Sequence, residues 1–332
     1  MSLTNRQVLL ASRPSGVVTD ANFRIVDAPL GAPGDGEVLV RNHWLSLDPY
    51  MRGRMSDAKS YAPSVQLGEV MVGQTVGEVL ESRDSRYRPG DIVLAPLGWQ
   101  LYGIAKGNTV TKVDTQRAPA SYYLGILGMP GITAWIGLNE IAKLRAAETV
   151  VVSAATGAVG SVAGQLAKIA GCRVVGIAGG RAKCDYAADS LGFDACIDRK
   201  ADAWEDALRA ACPGGVDVDF ENAGGAVLDA VLRVMNTASR VVLCGLIAEY
   251  SAREPYGHNL RAILVKRIRM QGMIVFDWKH RFAEAVDALC AHLDAGRLHY
   301  RESIVDGLDN APRGLIALLS GENFGKQLVK LV

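Results

Sequence analysis

From Thr149 the chain reads TVVVSAATGAVGS: a near-continuous apolar strand, a turn of small residues, then a helical pattern with Val159, Val162, Leu166 and Ile169 on one face. A strand that passes through so tight a turn into an amphipathic helix is the opening of a parallel crossover unit. The pattern then repeats. Strand-like runs at 173–178, 195–198, 216–221, 240–243 and 270–275 alternate with helical stretches from Ala182, near Trp204, near Val227 and over 282–295. Strands separated by helices of about 10–15 residues predict a doubly wound parallel sheet, because each parallel connection needs a crossover. The expected domain is 128–301.

The turn itself, AATGAVGS at 154–161, reads A-x-x-G-x-x-G, with Ala154 where the usual fingerprint has its first glycine. Small residues let the backbone turn sharply and approach a pyrophosphate, and the helix that follows offers free N–H groups and a positive dipole end. A tight turn without ligand is the plainer reading. The position of the motif, at the start of the strand–helix series, favours a dinucleotide. The next strand bears on which one. An acidic residue about 20 residues past the glycines would bind a ribose 2′-hydroxyl. Here the strand runs into Ala178-Gly179-Gly180-Arg181-Ala182-Lys183, with no acid and two cations. Solvated charges are one reading. Cations at a helix start oppose the dipole, however, and an anionic 2′-phosphate would explain them, so NADP is expected.

The first third of the chain differs. Short β-like runs at 37–42, 71–79 and 91–95 are separated by Pro33-Gly34-Asp35-Gly36 and Pro89-Gly90-Asp91. These predict a mainly antiparallel β domain. The closing run, KQLVKLV at 326–332, is strand-like and is expected to return to it. The predicted division is 1–127 with 302–332 as the substrate-binding domain, and 128–301 as the dinucleotide-binding domain. The 332 residues, 49% hydrophobic and 21% charged with formal net charge +1, suit two soluble domains and provide no pull towards nucleic acid or anionic membrane. The opening MSLTNRQVLLASRP lacks a long apolar core and no run has the length of a membrane span, so a cytoplasmic protein is expected. Six cysteines with no CxxC pair read as scattered thiols in a reducing compartment.

Residues 1–127 hold no cysteine and one histidine, His43. No metal-ligand set exists there, and a zinc-based alcohol dehydrogenase is disfavoured. His43, beside Trp44, reads as structural. Neither a G-x-S-x-G elbow nor a cysteine with a nearby base is present. Hydride addition to a conjugated double bond needs no Lewis acid, only donors for the developing enolate oxygen. Tyr50, Tyr61 and Tyr250 are the candidates. Each is equally readable as a packing residue with a satisfied hydroxyl.

The stretches LSLDPYMRGRMSDAKSY (45–61), LGMPGITAW (127–135), AATGAVGSVAGQLAKIAGCRVVGIAGG (154–180), FENAGG (220–225), VLCGLIAEY (242–250), LVKRIRMQGMIV (264–275) and GENFGKQLV (321–329) together resemble the zinc-free medium-chain double-bond reductases. These include prostaglandin reductases, plant alkenal reductases and bacterial curcumin reductases. The resemblance covers essentially the whole chain. It implies a Rossmann domain beside a discontinuous GroES-like β domain with a cleft between them, bound NADPH, and a homodimer. By position, Gly157, Ala158, Val159 and Gly160 resemble the pyrophosphate turn, and Lys183 the 2′-phosphate lysine, with Gly179 and Arg199 beside it. Thr133, Asn222 and the run Cys244, Gly245, Leu246, Ile247 to Tyr250 resemble cofactor-cleft positions. Met273, Ile274 and Val275 resemble the backbone run beside nicotinamide, and Asn323 the tail asparagine that reaches the cofactor. Tyr50, Tyr61 and Tyr250 resemble tyrosines of the substrate cleft. Prostaglandin reductases carry Tyr where this chain has Arg199 and Val265; an arginine there suits a phosphate.

The implied activity is NADPH-dependent reduction of the C=C bond of α,β-unsaturated ketones or aldehydes without metal, on curcumin-type enones or 2-alkenals. The alternatives are an NADPH:quinone oxidoreductase and a non-catalytic nucleotide-binding protein on the same fold.

Overall fold

The computed structural model describes residues 4–252, 254 and 256–332. It divides into two units, Met1–Gly125 with Glu302–Asn323 and Gln327–Val332, and Ile126–Arg301 with Phe324–Lys326.

In the second unit, the described residues form a six-stranded sheet in the order Ala195–Asp198, Arg173–Ala178, Thr149–Ser153, Val216–Glu221, Met235–Leu243, Arg269–Gly272. All neighbouring pairs are parallel. In chain order this is 3-2-1-4-5-6, the doubly wound arrangement. The Thr149–Ser153 strand lies where the winding reverses, and ligands of such sheets bind outside the carboxyl ends of the strands there. Val150, Val151 and Val152 are fully buried, as expected for a strand covered on both faces. The helix Gly160–Ile169 is nearly buried all round. Gly164 permits this: a Cβ there would sit 1.9 Å from the Phe193 ring.

Several strands predicted from the sequence keep their bounds, and others move. The run at 270–275 is a strand only over Arg269–Gly272; a 3-10 helix begins at Val275. The reason is the partner. Met235–Leu243 ends at Leu243, whose carbonyl takes the Met273 N–H at 3.1 Å, and the register between the two strands stops at that residue. The strand predicted at 240–243 starts earlier, at Met235, through a register shift and a left-handed Ala238 (φ 61°).

The first unit carries a seven-stranded sheet, ordered Glu302–Asp306, Lys326–Lys330, Glu37–Ser46, Thr75–Ser82, Ile92–Ala95, Thr111–Lys112, with Tyr102–Lys106 also on Glu37–Ser46. The tail strand pairs antiparallel with Glu37–Ser46, Leu328 opposite Ser46, so the unit is discontinuous in sequence. A separate hairpin joins Thr4–Leu10 to Phe23–Pro29. The run predicted at 71–79 is a strand only from Thr75, since Met71 turns inward instead and is fully buried with Trp99, Leu45, Met51 and Met55. Phe23 stacks on Trp99 at 5.4 Å. No helix among the described residues is long and apolar enough to cross a membrane.

Candidate active site

The carboxyl end of Thr149–Ser153 leads straight into the turn. Ala154 takes the left-handed conformation (φ 48°) that the fingerprint's first glycine would adopt freely. Its carbonyl accepts the Gly157 N–H at 2.9 Å, which closes the turn. That same carbonyl explains Gly160, where a Cβ would lie 2.4 Å from it. No side chain caps the Gly160–Ile169 helix, and its first turn holds no acid. Its orphan N–H groups therefore suit an anion. Gly325 (φ 89°) comes alongside: its N–H donates to Thr156 O at 3.2 Å, and its α-hydrogens face Arg301 O, which a Cβ would meet at 2.1 Å. The tail is pinned there by Phe324, under the Arg301 guanidinium (4.0 Å) and edge-on to Tyr186 (5.0 Å). Asn323 immediately precedes this pinned segment.

The second strand end gathers cations. Burial lowers the Lys183 pKa first, and the like charges of Lys200 and Arg199 lower it further. A Cβ on Gly179 would lie 3.4 Å from Lys200 Cε and 3.5 Å from Arg199 Nε, so the glycine leaves room for both stems. Asp198 sets the geometry: its Oδ1 accepts the N–H of Gly180 (2.8 Å) and of Lys200 (2.9 Å), tying the two strand ends together. A phosphate dianion would relieve the repulsion among three cations. Arg181 does not join them. It turns outward, 86% exposed, and pairs with Asp185 on its own helix at 2.6 Å. Lys200 was not singled out in the sequence, although it follows Arg199 directly.

The switch point is knit by one serine. Ser153 Oγ donates to Glu221 Oε1 at 2.6 Å and accepts the Asn222 N–H at 2.7 Å; Asn222 Nδ2 donates to Ser153 O at 2.9 Å. The amide of Asn222 thus joins the first and fourth strands. Glu221 O accepts the N–H of Cys244 and Gly245, while Ile247 and Ala248 donate to the carbonyls of Asn222 and Ala223. The Cys244–Ile247 run therefore lies along the fourth strand's end. Burial pushes the Cys244 thiol up to about 12, so it is inert as a nucleophile. Tyr250 Oη accepts the Leu246 N–H at 3.3 Å, which holds its phenol over the same run. Met273 and Val275 are buried and Ile274 half-buried just past the sixth strand. Thr133, on the Met129–Ile136 helix, donates its hydroxyl to Met129 O at 2.7 Å.

In the first unit, Tyr50 opens the short helix Tyr50–Arg54, which Asp48 O helps to start. Burial raises the Tyr50 phenol, with Asp48 adding to the effect and Tyr61 close enough to contribute. Tyr61 is 59% exposed. His43 is half-buried 3.9 Å from Glu78, and burial lowers its pKa, in keeping with a structural residue. The cysteines are free, as expected, but Cys184 and Cys196 are not scattered: their thiols are hydrogen-bonded neighbours. Among the described residues, no group of three or more His, Cys, Asp or Glu could hold a metal ion.

Comparison with known proteins agrees with this geometry. Residues 6–113 match the family described as the N-terminal domain of oxidoreductase, and 158–291 the family described as zinc-binding dehydrogenase. The NADPH-dependent curcumin reductase of Escherichia coli (strain K12) is 48% identical over 98% of this chain and 97% of its own. The 2-alkenal reductase (NADP(+)-dependent) of Nicotiana tabacum is 41% identical over 98% of this chain and 97% of its own. The crystal structure of CurA from Vibrio vulnificus in complex with NADPH superposes with TM-score 0.95 at 49% identity, covering 98% of this chain and 99% of that one. The chain belongs to the medium-chain dehydrogenase/reductase family, in the group that holds the bacterial curcumin reductases, the plant 2-alkenal reductases and the prostaglandin reductases.

Proposed function

We propose that this chain is an NADPH-dependent reductase of the carbon–carbon double bond of α,β-unsaturated ketones and aldehydes. When bound, NADPH supplies a hydride for the β-carbon. The observation that carries the reading is the convergence of Lys183, Arg199 and Lys200 beside an intact phosphate turn, in a chain related over nearly its full length to an NADPH-dependent curcumin reductase. The turn at 154–160 and the Gly160 helix N-terminus hold the pyrophosphate. Lys183, Arg199 and Lys200 hold the 2′-phosphate. Thr133, Gly179, Asn222, the Cys244–Ile247 run, Met273, Ile274, Val275 and Asn323 complete the cofactor contacts.

The chain's chemical task is then the charge that develops on the carbonyl oxygen as the β-carbon gains its hydride. Tyr250, oriented by the Leu246 N–H, provides the donor, and a proton reaches the α-carbon to complete the saturated product. Tyr50 and Tyr61 position the substrate. Burial keeps the Tyr50 phenol protonated through the neutral range, which suits a donor and not a base. The reaction needs no metal, because the conjugated β-carbon is already electrophilic.

The protein is proposed to act in the cytoplasm as a homodimer. Arg269–Gly272 ends the sheet order with its outer edge unpaired among the described residues, and Leu264 and Val265 just before it are 79% and 56% exposed. Such an edge is a natural isologous interface. Light scattering after gel filtration tests this; a monomer at micromolar concentration would refute it.

The function is tested by following NADPH oxidation with a panel of enones, enals and quinones. Turnover of enones and enals, with the saturated carbonyl as product, is expected. Turnover of quinones alone would transfer the chain to the quinone oxidoreductases, and turnover of none would leave a nucleotide-binding protein. Zinc analysis of the active protein should find no stoichiometric metal, and chelators should leave the rate unchanged; a zinc lost together with activity would overturn the metal-free mechanism.

A further inference from the structure

The segment after the fifth strand carries Tyr250 and is fastened at a second place, away from the backbone contacts described above. His258 lies between two carboxylates. Its Nδ1 is 3.0 Å from Asp229 Oδ1 and its Nε2 is 3.0 Å from Glu249 Oε1. All three side chains are largely buried, at 19%, 12% and 20% exposed for His258, Asp229 and Glu249. Asp229 belongs to the Gly225–Val234 helix, and Glu249 directly precedes Tyr250. The same Glu249 Oε1 accepts the Gly225 N–H at 2.7 Å, at that helix's start. Two left-handed glycines make the seat: Gly224 (φ 76°) and Gly225 (φ 55°). A Cβ on Gly224 would lie 2.4 Å from Glu249 Oε1. The Tyr256 ring covers the imidazole at 4.7 Å.

We propose that His258 is a positioning residue: its imidazolium clasps Glu249, which directly precedes Tyr250, to Asp229 of the Gly225–Val234 helix, and the clasp opens when the ring loses its proton. The imidazolium donates from both nitrogens, whereas neutral imidazole donates from one and turns a lone pair towards the other carboxylate. In either tautomer one of the two links becomes a repulsive contact. Burial opposes the charged ring, but hydrogen bonds and charge from Asp229 and Glu249 together outweigh it and raise the pKa of His258. Among the described residues, these two carboxylates are the charged groups that face the ring, one from the helix and one from the segment itself. The clasp is therefore closed below the raised pKa and opens as pH rises through it. This inference rests on the reading that Cys244–Ile247 and Tyr250 line the cofactor and substrate.

The experiment is hydrogen exchange of 244–252 in the cofactor-free protein from pH 6 to pH 9, corrected for intrinsic rates, together with the KM for an enone over the same range. In the unmodified protein, protection should fall and KM rise by about tenfold across one step, the size that one charge-assisted hydrogen bond supports. His258→Asn should abolish the step in both measurements. Asp229→Asn, which keeps an acceptor and removes one charge, should move its midpoint to lower pH. Parallel profiles in the unmodified protein and His258→Asn, or an unmoved midpoint in Asp229→Asn, would overturn the proposal. If the protein fails to bind NADPH at any pH, the functional reading falls, and the exchange measurement on the free protein still decides the clasp.

Discussion

The turn at 154–160 and the segment at 244–252 both leave carboxyl ends of strands in the same sheet, but different forces shape them. The turn is short and closes on itself: Ala154 O takes the Gly157 N–H, and Gly160 has no room for a side chain, with backbone bonds from Gly325 and to Ile177 beside it. The later segment is longer. Backbone bonds to Glu221, Asn222 and Ala223 hold its beginning, and the carboxylate–imidazole–carboxylate chain through His258 holds its end. The turn proposed to face the pyrophosphate, a ligand group that does not vary, is rigid backbone. The segment proposed to face the substrate is held by side chains whose charge states can change.

The comparison breaks most visibly with glycine substitutions in the two regions. Gly160→Val should abolish NADPH binding, by about 3 kcal/mol or more than 100-fold in a fluorescence titration, because the new side chain meets Ala154 O in a packed turn. Gly245→Ala should change that affinity far less than Gly160→Val, since its Cβ would find nothing nearer than 3.4 Å. Equal losses would erase the distinction between the two regions.

Next comes the division of labour. Tyr250→Phe should lower turnover on the order of 100-fold, as loss of an oxyanion donor does, with NADPH affinity nearly unchanged. Tyr61→Phe should act mainly on KM. Wild-type turnover in Tyr250→Phe would remove the phenol from the chemistry and leave the reductase reading standing.

On the phosphate side, Lys183→Ala should weaken NADPH about 10- to 100-fold and leave NADH alone, the size of one charge-assisted contact. Lys200→Ala should give a smaller loss of the same selectivity. An equal loss for both cofactors would show that the cluster does not read the phosphate.

The smallest effect concerns the acid that lies beneath both regions. Glu221 offers its carboxylate to Ser153 and its carbonyl to Cys244 and Gly245. Asp219, fully buried beside it, has two oxygens without a donor, and Glu221 has one. A proton between the two acids supplies a donor. Burial first, and then the charge of Glu221, raise the Asp219 pKa well above its usual value. The folded protein therefore binds more protons than the unfolded chain once pH exceeds the unfolded carboxylate value. Stability falls as pH rises from there to the raised folded pKa, and is level beyond it. Asp219→Asn should remove this slope, so that its advantage in melting temperature grows with pH to a few degrees, about what 1 kcal/mol produces. A constant offset between the two proteins from pH 5 to pH 9 would refute the shared proton.

Much of the second unit was readable without coordinates because its signals are local. The strand Arg173–Ala178, the turn at 154–160 and the cation at Lys183 each lie within one strand–helix unit, and the apolar period and the missing acid suffice to find them. Arg181 was readable as a cation of the same cluster by the same local logic, and the structure turns it outward instead, because Asp185 stands one helical turn away and takes its guanidinium. Lys200, Asp198 and His258 carried no sequence signal of their own. Lys200 meets Lys183 only because two parallel strands end side by side, and His258 finds Asp229 across 29 positions.

The sequence by itself determined the parallel strand–helix series of the second unit and the tight turn of small residues at 154–160, since each depends on periodicity or small residues along the chain. Tertiary structure alone decided where the sixth strand stops, which cations meet and how the Tyr250 segment is fastened. Those outcomes depend on which strand ends lie side by side and on the dielectric around buried charges, and both come into being only when distant parts of the chain are packed together.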